Sequence, residues 1–284
     1  MPRMIFASMV LFTLLSGSAE AGAPDTEKLE SVLAARPADM QARDAWRHPR
    51  QTLEFFGVAP GMTVVEALPG GGWYTKVLAP YLGSEGKLVG ADYSQDMYPL
   101  FGFFSEEQLE KKKNWVTDFT VDAVEWSGED GAHISAFVFG SMPANMNGTA
   151  DVVLFIRALH NLARFESQGG FLTAALQDAF NVLKSGGTVG VVQHEARDDM
   201  PDDWADGSRG YLKKAFVISA MEKAGFEFVA ESDINQNPKD QPTDQDIVWR
   251  LPPSLSTSRD NPELKAELEA VGESNRMTLK FRKP

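Results

Sequence analysis

The apolar run Thr63-Val64-Val65-Glu66 passes into Ala67-Leu68-Pro69-Gly70-Gly71-Gly72, and a helical pattern starts at Trp73. Such a turn suits ligand binding for two reasons. Glycine has no Cβ, so a ligand can approach the backbone closely. The helix that follows starts with free N–H groups and a positive dipole end, which favours an anionic or carboxylate-bearing ligand. The next apolar strand, Lys87 to Asp92, closes on a carboxylate. An acid at that position can accept hydrogen bonds from both hydroxyls of a ribose. A glycine run alone also makes an ordinary tight turn; the strand before it, the helix after it and the acid closing the next strand are what favour a nucleotide-type site. If the glycines make room for a ligand, an added methyl at Gly72 is expected to obstruct binding at small cost in stability, because alanine is tolerated at a helix start.

Further candidates close later strands. His160, with Arg157 and Asn161 beside it, follows Asp151 to Ile156, and His194-Glu195 follows Thr188 to Gln193. The carboxyl edge of an open α/β sheet is where ligands bind. A histidine or carboxylate there can take up a proton or orient a substrate, so His160, His194 and Glu195 are the candidate catalytic groups. Two imidazoles and a carboxylate also make a metal site, but nothing in their spacing favours one, and no metal is expected. Ser141 follows Ile134 to Phe139 in Phe-Gly-Ser-Met-Pro and can be either a plain turn residue or a ligand contact. Tyr211 and Lys213 read as a helix start with solvated cations, and Trp46-Arg47-His48 as a joint between the N-terminal extension and the main pattern.

These residues are positioned by an alternation of strands and helices. The strands are Met62 to Ala67, Lys87 to Asp92, Ile134 to Phe139, Asp151 to Ile156, Thr188 to Gln193, Phe226 to Glu231 and Met277 to Phe281. The helices are Trp73 to Leu82, Ser105 to Asn114, Phe165 to Leu183, Leu212 to Ala224 and Pro262 to Gly272. Strands separated by helices imply βαβ units and a largely parallel sheet. The last strand follows the polar, proline-rich stretch Asn235 to Asn261 and is placed to insert antiparallel beside its neighbour. The expected fold is therefore α/β: a Rossmann-like, seven-stranded, mostly parallel sheet with helices on both faces. The stretch Asn235 to Ser258 is a long candidate loop, of the kind that serves as a lid.

This pattern resembles the class I S-adenosylmethionine-dependent methyltransferases, whose first motif is an acid followed by spaced glycines at the end of the first strand. Glu66, Gly70 and Gly72 fall on that motif; Asp92 in Val-Gly-Ala-Asp-Tyr-Ser matches the ribose-binding acid, and Asp151 the start of the fourth strand. Leu-Lys-Ser-Gly-Gly-Thr resembles the turn before the fifth strand. The match runs from about Leu53 to Lys283 and looks most similar to an exported bacterial subgroup. The resemblance implies S-adenosylmethionine as cofactor, bound by Glu66, Gly70, Gly71, Gly72, Asp92, Ser141 and Arg157, and a small-molecule acceptor left open. One departure stands out. The family has glycine where this chain has Leu68, and Pro69 follows, fixing φ and removing an N–H. A rival reading on the same fold is a non-catalytic nucleoside- or metabolite-binding protein.

Composition narrows the choices. The chain has 284 residues, 43% of them hydrophobic, enough for a sizeable core. Its formal charge is −13, and the densest basic cluster, Lys111 to Lys113, follows three glutamates, so nucleic acid is not an expected partner. With no cysteine, disulfides and thiolate chemistry are excluded. Arg3, the apolar run Ile5 to Leu15 and Ala19-Glu20-Ala21 read as a cleavable signal peptide, and the apolar stretch falls short of the roughly 20 residues that span a bilayer. The expected organisation is a signal peptide at 1–21, a helical extension at 22–52 and a methyltransferase-like domain at 53–284, periplasmic or secreted.

Overall fold

The computed structural model describes residues 22–284, and the expected signal peptide lies outside them. Its centre is a seven-stranded sheet made of β1 (Thr63–Ala67), β2 (Lys87–Asp92), β3 (His133–Val138), β4 (Ala150–Ile156), β5 (Leu183–His194), β6 (Glu227–Ser232) and β7 (Arg276–Arg282). The spatial order is β3-β2-β1-β4-β5-β7-β6. Strands β1 to β5 pair in parallel, and β7 inserts antiparallel between β5 and β6, as the sequence pattern implies. β1 pairs with β2 on one side and β4 on the other, so the chain changes direction across the sheet between β1 and β4. Ligands bind outside the carboxyl ends of the strands at such a crevice.

Alternation within the strands divides the core. Val65, Val153 and Val191 face the helices Phe171–Val182 and Lys214–Lys223, while Val64, Val152 and Val192 face the helices Thr26–Ala34, Pro49–Phe56 and Thr75–Leu82. The helix Pro49–Phe56 buries Thr52, Leu53 and Phe56, tying the N-terminal helices to this second layer.

The helices depart from the sequence reading in several places, among them a short helix, Leu159–Arg164, that carries His160 where a loop is expected. The expected helix Phe165 to Leu183 is broken into Glu166–Gly169 and Phe171–Val182 at the weak helix formers Gly169 and Gly170. The glycine turn runs on to Tyr74, and its helix starts at Thr75 rather than Trp73. A helix the sequence reading did not include, Trp115–Ser127, covers the flank of β3. Its valines, threonines and aromatics are poor helix formers, but Trp115, Phe119 and Ala123 recur every fourth residue and pack together, and that burial overrides propensity. Among the described residues no helix is long and apolar enough to cross a membrane.

Residues 235–261 hold a single 3₁₀ turn, Val248–Arg250, yet are firmly packed. Buried Asp240 accepts hydrogen bonds from Arg250 at 2.8 Å and from the Tyr211 hydroxyl at 3.1 Å. Trp204 stacks on Tyr211 with ring centres 5.2 Å apart. The segment forms a wall beside the carboxyl edge of the sheet.

Candidate functional site

The chain leaving β1 makes a tight turn. Leu68 takes a left-handed backbone, φ 53°, a conformation that favours glycine over a residue with a side chain. Its N–H donates to Ala91 O at 2.7 Å, and Gly72 N–H donates to Pro69 O at 2.9 Å. Glu66 is buried beneath the turn. Its Oε2 accepts from the Thr75 hydroxyl at 2.7 Å, which ties it to the first residue of the helix that follows. Burial pushes the Glu66 carboxyl up to about 7, with the Thr75 hydrogen bonds opposing.

The glycines divide into two roles. A Cβ on Gly72 would stand 2.3 Å from the Trp126 ring, so the room left by this glycine is filled by the helix Trp115–Ser127. The expectation of a harmless alanine at Gly72 is therefore corrected: φ is 75° and the space is taken. A Cβ on Gly71 meets nothing within 4 Å, and Gly70 and Gly71 border an open cleft.

That cleft, about 460 Å³, lies at the β1/β4 crevice. Arg157 and His160 enter it after β4, His194 at the end of β5, Arg43 and Arg47 from the N-terminal helices, and Trp249 from the 235–261 wall. The His160 ring centre is 5.5 Å from that of His194 and 6.0 Å from that of Trp249. Burial lowers His160 to about 4, with Arg157 and Arg164 adding to the effect and Gln193 opposing it. Burial, His160 and Arg157 together hold His194 well below the usual imidazole range. Both rings are neutral at pH 7.

The remaining sequence candidates stand elsewhere. Glu195 turns away from His194: its carboxylate is 3.6 Å from Lys214 Nζ and 3.4 Å from Asn275 Nδ2. Among the described residues no cluster of three His, Asp or Glu side chains is arranged to hold a metal ion. Asp92 is buried, and its Oδ2 accepts from the Tyr98 hydroxyl. Ser141 sits exposed in the turn after β3, its N–H bonded to Val138 O at 3.0 Å. None of Glu66, Gly72, Asp92, Ser141 and Glu195 borders the cleft.

The cleft also holds a charge cluster that the sequence reading missed. Glu273 Oε1 accepts from Arg43 Nε at 2.9 Å and Arg47 Nε at 3.1 Å, and Oε2 from Arg276 Nη1 at 3.2 Å. Arg157 Nη1 stands 3.8 Å from Oε2, beyond hydrogen-bond reach. The Arg47 guanidinium lies 4.4 Å over the Trp73 ring. Arg157 itself has a left-handed backbone, φ 59°, with its N–H donated to Val192 O at 2.6 Å. The spacing of Arg43 and Arg47, one helical turn, was a visible signal; their convergence on Glu273 was not.

No protein-family profile matches this chain, and no curated protein sequence matches it. Solved structures do. The [4+2]-cyclase SpnF is 17% identical, with a TM-score of 0.53 over 84% of this chain and 81% of its own. Geranyl diphosphate C-methyltransferase from Streptomyces coelicolor A3(2), solved with Mg2+, geranyl diphosphate and S-adenosyl-L-homocysteine, is 15% identical, with a TM-score of 0.50 over 93% of this chain and 90% of its own. Likeness at these identities establishes the architecture: the chain has the class I methyltransferase fold.

Proposed function

We propose that the protein is an S-adenosylmethionine-dependent methyltransferase acting on a small-molecule acceptor in the cell envelope. The observation that carries this reading is the open cleft against Gly70 and Gly71 at the β1/β4 crevice of a class I methyltransferase fold. The fit to the cofactor is good at its amino-acid end. Gly71 leaves free space there, so the cofactor's amino-acid tail can approach the backbone of the turn closely. At the ribose end, Asp92 closes β2 as the motif requires; it stands outside the cleft lining and would hold the ribose hydroxyls only with the Tyr98 hydroxyl moved from its carboxylate. The cofactor supplies a methyl already activated on a sulfonium, so the protein's task is alignment. His160 and His194 face the same cleft as neutral imidazoles, each able to orient an acceptor or take its proton.

The reading includes export, supported by the Arg3, Ile5–Leu15 and Ala19-Glu20-Ala21 pattern; an intact mass from the native host starting at Gly22 is expected. A non-catalytic nucleoside-binding protein is the second reading, favoured by the Tyr98–Asp92 contact and by the low basicity of both cleft histidines.

The test is thermal unfolding and calorimetry with S-adenosylmethionine and S-adenosylhomocysteine, followed by methyl transfer into a metabolite or envelope extract. The wild type should show a saturable rise in Tm. Gly71→Leu, which fills open space, should lose that rise while melting normally. Absence of any response in the wild type at millimolar cofactor overturns the methyltransferase reading. Binding without transfer to any fraction leaves the second reading in its place.

A further inference from the structure

Four guanidiniums, of Arg43, Arg47, Arg157 and Arg276, surround the single carboxylate of Glu273. With neighbouring Asp44 paired to Arg36, four positive charges against the one negative charge of Glu273 leave an excess of three, inside a chain whose formal charge is −13. Arg47 and Arg276 are each only 3% exposed, so water does little to offset that excess. Burial, opposed by Glu273 and reinforced by neighbouring arginines, lowers Arg47 to about 9 and Arg276 to about 10, which leaves both cationic at pH 7.

Two further observations point from this excess to a ligand. Arg47 Nη1 is buried with no hydrogen-bond partner, although Arg47 borders the cleft. A buried donor without a partner is costly, most of all on a charged group. Arg157, a quarter exposed, is carried into the cleft on a backbone conformation unfavourable to a side chain. Backbone strain of that kind is retained where the surroundings enforce it, and it clusters at ligand sites.

We propose that the acceptor is a small anion, carrying phosphate or carboxylate groups that seat between Arg47 and Arg157. This rests on the methyltransferase reading, and the charge of the cofactor strengthens it. S-adenosylmethionine carries a sulfonium and an ammonium against one carboxylate, a net positive charge. Bringing it into a cleft that already holds surplus positive charge is unfavourable by Coulomb's law unless another ligand supplies negative charge. An anionic acceptor provides that charge, and its oxygens match the planar fork of a guanidinium. The acceptor and the cofactor therefore bind cooperatively, each raising the affinity of the other by the same factor.

The experiment uses the mature protein and two defined probes, sodium malonate and sodium pyrophosphate, against sodium chloride at matched ionic strength. Calorimetry and thermal unfolding should show saturable binding of a probe in the absence of any cofactor. Arg157→Asn keeps a residue that tolerates left-handed backbone and should weaken that binding at least ten-fold with little change in unliganded Tm. Glu273→Gln removes the carboxylate that the four guanidiniums share, so it should lower Tm yet bind the probe more tightly. Opposite signs in the two variants cannot arise from unfolding. Saturating S-adenosylhomocysteine should leave probe binding intact. If the homocysteine compound displaces the probe, the arginines serve the cofactor's own carboxylate and the acceptor assignment is overturned. No saturable binding beyond chloride, or an unchanged response in Arg157→Asn, overturns the anion site itself. Probe binding without any cofactor binding upholds the anion site and sinks the methyltransferase reading, and with it the identity of the anion as an acceptor.

Discussion

Replacing Gly72 by alanine separates packing from ligand binding at the glycine turn. The residue holds φ 75°, and an added Cβ would lie 2.3 Å from Trp126 Cζ3, with Cη2 at 2.8 Å and Cε3 at 2.9 Å. Left-handed backbone costs a residue with a side chain roughly 1–2 kcal/mol. Overpacking against a ring that must shift costs roughly 1–3 kcal/mol more. The sum is about 2–5 kcal/mol, and for a chain of this size each kcal/mol lowers Tm by about 2–4 °C. Gly72→Ala should therefore melt about 4–20 °C below the wild type. A double-mutant cycle with Trp126→Leu resolves the two contributions. With the ring trimmed, the added methyl should cost only the backbone share, so the coupling should be about 1–3 kcal/mol. Differential scanning calorimetry of the four proteins gives both numbers. A Tm unchanged by Gly72→Ala would refute the packing account and return this glycine to a role in making room for a ligand. A large loss with no coupling would place the whole cost in the backbone.

Two further predictions concern the same turn. Leu68, half-buried at φ 53°, packs on the main core cluster, so Leu68→Ala keeps the strain and loses the contacts, whereas Leu68→Gly relieves the strain; urea unfolding should find the glycine variant the more stable of the two, against the usual order, and the reverse ranking would show that Leu68 is unstrained. Glu66 is raised from 4.5 to about 7, so the folded state holds its proton more tightly than the unfolded state, and its contribution to stability is present below about pH 4.5 and lost as pH rises to about 7. Glu66→Gln, which keeps an acceptor for Thr75, should gain about 3 kcal/mol relative to the wild type between pH 4 and pH 8, since each tenfold difference in proton affinity is worth about 1.4 kcal/mol; parallel stability curves for the two proteins would rule this out.

The fold was legible because the strands are apolar runs punctuated by glycine and polar turns, and burial on both faces demands that pattern. The helix Trp115–Ser127 was not, because its residues rank as strand formers and only their contact with β3 makes them helical. The acid and glycines of the turn were found by type, but their roles come from what fills the space around them. Thr75 occupies Glu66, Trp126 occupies the room at Gly72, and Tyr98 occupies Asp92.

The cleft was half legible, for a reason of parity and a reason of distance. His194 and Glu195 are adjacent at a strand end, and successive side chains there point to opposite faces, so only one of them can reach the crevice. His194 faces the cleft and Glu195 faces Lys214. A reading by proximity in sequence joins them, whereas a reading by strand period separates them. Distance hides the arginine cluster. Arg43 and Glu273 are 230 residues apart and meet only because β7 inserts beside β5. That insertion carries Glu273 and Ser274, just before β7, to the end of β5, where Ser274 Oγ reaches His194 Nδ1. The antiparallel last strand is thus the element that completes the site. It brings one carboxylate into a ring of arginines too large for it to neutralise, and the remaining charge is what the cleft offers to a ligand.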